Sequence, residues 1–150
     1  MNVTETVVSS RFGELEVPGE ALIDFPGGMI GVGGSRFALL TREENGAFKW
    51  LQETGQEDLA LPVTDPFAFF PDYEVVLSDA EAERIGITDP SAADVLVVVR
   101  ADEDPGQVSA NLLAPILVSA GVGHQVLNEA TWAPLREPLL SGGREPVAAR

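Results

Sequence analysis

One histidine, no cysteine and 24 carboxylates set the chemical limits of this 150-residue chain. Without cysteine there is no disulfide, no thiolate zinc site and no thiol nucleophile. His124 stands between Gly123 and Gln125, with no second histidine to build a zinc site. Serines and aspartates are numerous enough for a Ser–His–Asp arrangement, but no Gly-x-Ser-x-Gly elbow presents a serine. His124 therefore reads as an exposed turn residue. The run Gly27-Gly28-Met29-Ile30-Gly31-Val32-Gly33-Gly34 has the glycine content of a phosphate loop. It lacks the Gly-Lys-Ser/Thr ending, and no helix pattern follows whose N-terminus would hold an anion. It reads as a flexible loop exposing Met29, Ile30 and Val32. Asp102-Glu103-Asp104 places three acids in succession, whereas calcium loops need alternating oxygen ligands and a distant bidentate carboxylate. These acids, like Glu43-Glu44 and Glu57-Asp58, read as solvated turns. No acid pair has the apolar surroundings that would raise a pKa for acid–base work. No catalytic residue, metal or cofactor is expected.

What remains is the chemistry of surfaces, and residues 63–74 carry most of it. This stretch, Val63-Thr64-Asp65-Pro66-Phe67-Ala68-Phe69-Phe70-Pro71-Asp72-Tyr73-Glu74, holds four of the ten aromatic residues. Two prolines bracket three phenylalanines, and an aspartate adjoins each proline. Phe67 and Phe69 alternate as on an extended segment, while Phe70 faces the other way. The expectation is that Phe67 and Phe69 hold a core corner and that Asp65, Phe70 and Asp72 lie on the surface.

Net charge is −15, and its distribution is uneven. Residues 1–104 contain 21 acids and six bases, whereas residues 105–150 contain three of each. Such a field repels phosphate backbones, which argues against direct nucleic-acid binding, and draws in a basic protein partner. No apolar run approaches the roughly 20 residues of a membrane-spanning helix, and residues 1–11 do not have the pattern of a signal peptide.

The elements that must position these residues are mostly strands. Residues 4–9, 12–17, 21–25, 36–41, 48–53, 59–64, 73–77, 95–99 and 109–118 read as strands, with 125–127 adding one more. Residues 36–41 and 48–53 form a hairpin pair around Glu43-Glu44-Asn45-Gly46. Trp50 reads as core and Gln52 as a polar contact. The uniformly apolar Val95-Leu96-Val97-Val98-Val99 suits a strand buried on both faces. Pro115 cannot donate to a ladder and belongs at an edge or bulge. Ser78-Asp79-Ala80-Glu81 has capping-box spacing, so one short helix is expected near residues 79–85, stopped by Gly86. The fold class is mainly β: a small antiparallel β-barrel-like single domain over residues 1–139, with a frayed tail over 140–150.

In this order and spacing the segments resemble the FliW family of bacterial flagellar assembly factors. Residues 63–74 are close to that family's hallmark stretch. Arg11-Phe12-Gly13-Glu14-Leu15-Glu16-Val17, Ile23-Asp24-Phe25-Pro26-Gly27-Gly28, Phe48-Lys49-Trp50-Leu51-Gln52, Leu77-Ser78-Asp79, Ile85-Gly86-Ile87 and Asn111-Leu112-Leu113-Ala114-Pro115-Ile116 follow the family pattern too, covering residues 10–139. The chain departs from it where Ile30-Gly31-Val32-Gly33-Gly34 replaces a Pro-Gly-Phe-like run, and in the glycine-rich Ser119-Ala120-Gly121-Val122-Gly123-His124.

The resemblance implies a cytoplasmic, monomeric, non-enzymatic regulator. Its partners would be flagellin, bound before export, and CsrA, a small basic RNA-binding protein that represses flagellin translation. Candidate contact residues are Asp65, Phe70, Asp72 and Tyr73, with Asn111 and Pro115 near an edge strand. The alternatives, a carboxylate-dependent hydrolase or a small-ligand-binding barrel, would need a concave pocket with converging acids.

Overall fold

The computed structural model of the chain describes residues 4–41, 47–101 and 108–140. The turns expected at 43–46 and 102–104, and the tail beyond residue 140, lie outside the described residues. Strands β1 (Thr4–Ser9), β2 (Gly13–Pro18), β3 (Leu22–Asp24), β4 (Arg36–Leu40), β5 (Phe48–Glu53) and β6 (Ala60–Thr64) precede helix α1 (Asp79–Ile85). Strands β7 (Asp94–Ala101), β8 (Val108–Ala110), β9 (Ile116–Ser119), β10 (Val122–Gln125) and β11 (Glu137–Leu140) follow it.

Strands β3 to β7 form an antiparallel meander. β7 then pairs with β9, β9 with β10, and β10 returns to β3 through a parallel contact between Val122 and Asp24. The ring β3–β4–β5–β6–β7–β9–β10 is therefore a closed seven-stranded barrel, which leaves few open sheet edges. β7 outruns the barrel, and its last residues pair with β8, which pairs in turn with β11. The β1–β2 hairpin is a separate two-stranded sheet.

Side-chain alternation explains how so small a barrel buries both of its faces. Phe37 of β4 points into the barrel beside Ile23, Phe25, Met29, Leu51, Val63 and Ile116. Its neighbour Ala38 points outward, against Val7 and Val17 of the β1–β2 hairpin. On β9, Ile116 faces inward, while Leu117 faces out to meet Ile85 of α1 and Val126. On β7, Leu96 and Val98 face the barrel interior, whereas Val97 and Val99 join Phe69, Phe70, Tyr73, Leu112 and Leu139 outside it. The apolar run 95–99 is thus packed on both sides, as its composition implies. Gly123 leaves room for this packing, since a Cβ there would lie 2.6 Å from the Phe25 ring.

Helix α1 begins and ends as its sequence indicates. Ser78 Oγ accepts from the Glu81 amide at 3.1 Å, and Gly86 closes the helix at φ 74°. The Glu81 carboxylate takes the Arg84 guanidinium at 2.7 Å. Three expectations need correction. Residues 73–77 are not a strand, because the Val76 amide donates to the Asn128 side chain and the Val76 carbonyl accepts from the Glu129 amide. The stretch 109–118 is not one strand: Ala110 opposes Val99 and Ile116 opposes Leu96, so six steps on one side match three on the other. The surplus is looped out over residues 111–115, which puts Pro115 in a bulge. The final β strand of the barrel spans Val122–Gln125 rather than 125–127, and β11 carries no signal beyond Leu139 and Leu140.

Candidate functional site

Residues 65–76 fold as a tight corner rather than as an extended segment, and this re-sorts its aromatic rings. Asp65 caps a 3-10 turn over Pro66–Ala68, its Oδ1 accepting from the Phe67 amide at 2.9 Å. The turn abolishes the alternation expected of a strand. Phe69 is buried as expected, but Phe67 is 42% exposed and Phe70 only 4%. Tyr73, expected on the rim, is also buried. Its hydroxyl donates to the Leu112 carbonyl at 2.6 Å and accepts from Asn128 Nδ2 at 3.1 Å. Burial pushes the Tyr73 phenol up to about 12, with the Asn128 hydrogen bond opposing the shift.

Asn128 is the tie beneath this corner. Its Nδ2 also donates to the Glu74 carbonyl at 2.7 Å, and its Oδ1 accepts from the Val76 and Ala130 amides at 2.8 and 3.0 Å. One buried side chain thus fixes residues 73–76 against residues 128–130. Sequence reasoning misses Asn128, because an isolated Asn carries no local pattern that announces such a role.

The rings form a graded layer. Phe48 stacks on Phe69 with centroids 6.0 Å apart, Phe69 meets Phe70 at 6.4 Å, and Phe70 meets the edge of Trp132 at 5.5 Å. Phe67 leans on Tyr73 at 5.8 Å. Phe48, Phe67 and Trp132 present exposed faces above the buried Phe69, Phe70 and Tyr73. Two clefts run along this layer. One, of about 340 Å³, is lined by Asp72, Glu74, Val76, Glu129 and Trp132 among others. The other, of about 420 Å³, takes in Phe67, Tyr73, Glu74, Asp89 and Val95. Glu74 stands between them and belongs to both. Asp72, Glu74 and Glu129 are exposed, and none forms an ion pair among the described residues. The surface is therefore apolar at its floor and anionic at its rim, a shape suited to an amphipathic, basic segment. Trp132 is missed by sequence reasoning; its signal is a lone tryptophan in a stretch, Thr131-Trp132-Ala133-Pro134, that fits no strand period.

The other expected contacts lie elsewhere. Asn111 and Pro115 belong to the bulge. Asn111 Oδ1 accepts from the Leu113 and Ala114 amides at 3.2 and 3.1 Å. Pro115 is buried, its carbonyl accepting from Val126. Asp72 alone of the six candidates lines the acidic cleft, with Phe70 beneath it as support for Trp132.

The readings of loop and histidine also change. Met29 is 4% exposed and pairs with Gly33 across a closed hairpin, so only Ile30 and Val32 project from the loop. Gln125 Oε1 accepts from the Ile30 amide at 2.7 Å and anchors that hairpin to β10. His124 is a half-buried strand residue opposite Leu117, not a turn residue. Desolvation, and then the Arg84 charge, hold its imidazole below the usual histidine range. Gln52 is fully buried, its Nε2 donating to the Glu53, Gln56 and Glu57 carbonyls. Among the described residues no three His, Asp or Glu side chains gather where they could hold a metal ion. No helix among them is long and apolar enough to cross a membrane.

Comparison with known proteins agrees with this architecture. A family model described as FliW protein matches residues 6–139. The flagellar assembly factor FliW of Desulfitobacterium hafniense (strain Y51) is 36% identical over 138 residues, spanning 90% of this chain and 91% of the relative. That of Leptospira interrogans serogroup Icterohaemorrhagiae serovar Lai (strain 56601) is 34% identical over 138 residues, spanning 89% and 92%. A crystal structure of the flagellar assembly factor FliW superposes with a TM-score of 0.78 at 26% identity, covering 91% of this chain and 98% of that one. With nearly the whole length matched in sequence and in fold, the chain belongs to the FliW family of flagellar assembly factors.

Proposed function

We propose that this flagellar assembly factor is a non-enzymatic cytoplasmic regulator. It binds flagellin before export and antagonises a CsrA-type basic RNA-binding repressor, so that flagellin synthesis follows export. Free flagellin occupies the factor, the repressor is released, and synthesis stops. One observation carries the reading: the exposed Trp132 and Phe67 sit over buried aromatics, rimmed by the carboxylates of Asp72, Glu74 and Glu129, which form no ion pair among the described residues. The tryptophan face offers an anchor for an apolar helix face, and the rim offers charges to a basic chain. A net charge of −15 extends the same preference over the whole molecule and repels RNA from any partner it holds.

The test is capture of flagellin and of the CsrA-type repressor by the tagged factor, taken from the same bacterium. We expect both to be retained. Trp132→Ala should weaken at least one of them about tenfold or more, as for an interface anchor, and Glu74→Arg with Glu129→Arg should weaken the basic partner. Absence of both proteins from the eluate of the unaltered factor overturns the reading.

A further inference from the structure

Beyond the barrel, the sheet β7–β8–β11 has a second exposed face whose chemistry is the reverse of the acidic rim. Arg100 of β7 lies directly opposite Ser109 of β8, and Pro138 of β11 flanks Ser109 on its other side. Opposed residues share a face, and so do residues two apart along a strand. Asn111 and Arg136, just outside the ends of β8 and β11, reach the same cleft as Arg100 and Ser109. With Val98 and Leu135 these four line a cleft of about 170 Å³.

Its polar groups are nearly all donors. Arg36 pairs with Glu5, Arg84 with Glu81, and Arg11 lies 4.4 Å over the Trp50 ring. Arg100 and Arg136, in contrast, are exposed and have no carboxylate partner among the described residues, in a chain with 24 acids. The Ser109 residue is 97% buried, and its hydroxyl has no hydrogen-bond partner among the described residues. A buried polar atom left unsatisfied at the floor of a cleft is costly unless something completes it. Asn111 spends its Oδ1 on two backbone amides, so its NH₂ is the group it can offer a ligand.

We propose that this cleft binds a carboxylate carried on a short apolar stem. Two guanidinium forks take the two oxygens, the Ser109 hydroxyl and the Asn111 amide complete them, and Leu135, 54% exposed, receives the stem. A carboxylate suits the site better than a phosphate, because the acidic molecule penalises a dianion more than a monoanion. The ligand is either a small organic acid or the terminal carboxylate of a peptide, and the choice of probe separates the two. The site is remote in composition from the Trp132 cleft and does not depend on the regulatory reading above.

The experiment follows amide and arginine Nε resonances of the full-length chain by NMR. The probes are N-acetyl-leucine, 3-methylbutanoate, N-acetyl-leucinamide and inorganic phosphate. We expect saturable shifts at Arg100, Ser109, Asn111 and Arg136 with both acids, and none with the amide. Equal affinity for the two acids identifies a small organic acid, whereas clearly tighter N-acetyl-leucine binding identifies a peptide end. Arg100→Gln and Arg136→Gln should each weaken binding about fivefold or more. Ser109→Ala should weaken binding while leaving Tm unchanged or raised, because the hydroxyl makes no bond among the described residues. The proposal is overturned if the amide binds as well as the acid, if phosphate binds more tightly than either acid, or if the arginine variants bind unchanged.

Discussion

At the scale of single residues, the difference between Phe67 and Phe70 shows what one chain position can and cannot reveal. Both rings are legible as apolar, but which one is buried depends on whether Asp65 initiates a turn. The Asx cap of the Phe67 amide was available in the pattern Asp-Pro-Phe, since Asp before Pro favours turn initiation. Reading strand alternation through it inverts the two rings. Phe70→Ala should accordingly cost about 3–5 kcal/mol of stability, as for a phenylalanine removed from a packed core. Trp132→Ala, at a ring 46% exposed, should cost much less, and thermal unfolding of the two variants side by side checks the order. Glu53 is a further residue that sequence does not single out. Burial alone would raise its carboxyl. Hydrogen bonds from the Gly55, Ser35 and Arg36 amides, with the Arg36 charge, outweigh that and hold it below the usual glutamate value. A depressed folded-state pKa stabilises the fold fully above the unfolded value of about 4.3 and loses that contribution as pH falls through the folded value. Denaturant unfolding from pH 7 down to pH 3 should therefore show a decline below about pH 4.5. Glu53→Gln should be less stable at pH 7 and flatter across that range.

At the scale of elements, strands with strong local pattern are legible nearly to the residue. β1, β5 and α1 match their expected limits, because alternation, β-branching or capping spells them out locally. Where partners distant in sequence decide, the reading fails. Residues 73–77 have strand composition, yet Asn128, more than 50 positions away, takes the Val76 amide that a strand neighbour would have used. The split of residues 109–118 likewise follows from the length of β7, which must serve the barrel with one half and β8 with the other. The β9–β10 hairpin shows a local rule broken. Ser119 pairs with Val122 across a two-residue turn, and both central residues have positive φ, Ala120 at 52° and Gly121 at 78°. This is the type I′ pattern, which favours Asn or Gly at its first central position and disfavours alanine. Ala120→Asn should raise stability by about 0.5–1 kcal/mol, or about 2–4 °C in Tm for a domain of this size. Calorimetry of the single variant decides it, and a fall in Tm would show that the turn is not the source of strain.

At the scale of the whole molecule, the strongly acidic composition sets the terms of encounter. Barrel and helix are legible in the order of short strands and turns, and the family in the resemblance of particular segments such as residues 63–74, whereas the candidate site is not, because it depends on which surface the corner at 65–76 turns outward. Charge is the exception, since it acts through space and needs no register. With 21 acids and six bases in residues 1–104, the field reaches about 10 Å at 0.1 M salt and shortens as salt rises. A basic partner approaching Asp72, Glu74 and Glu129 feels both the local rim and this long-range field. Contact with Trp132 is short-ranged and apolar, and so is insensitive to salt. The two contributions therefore separate kinetically. Stopped-flow association with the proposed CsrA-type partner should slow by about tenfold or more between about 20 and 500 mM salt, while dissociation changes little. Trp132→Ala should do the opposite, speeding dissociation and leaving the salt slope of association intact. An association rate that does not vary with salt would remove electrostatic steering from the mechanism and leave the aromatic layer as the sole basis of recognition.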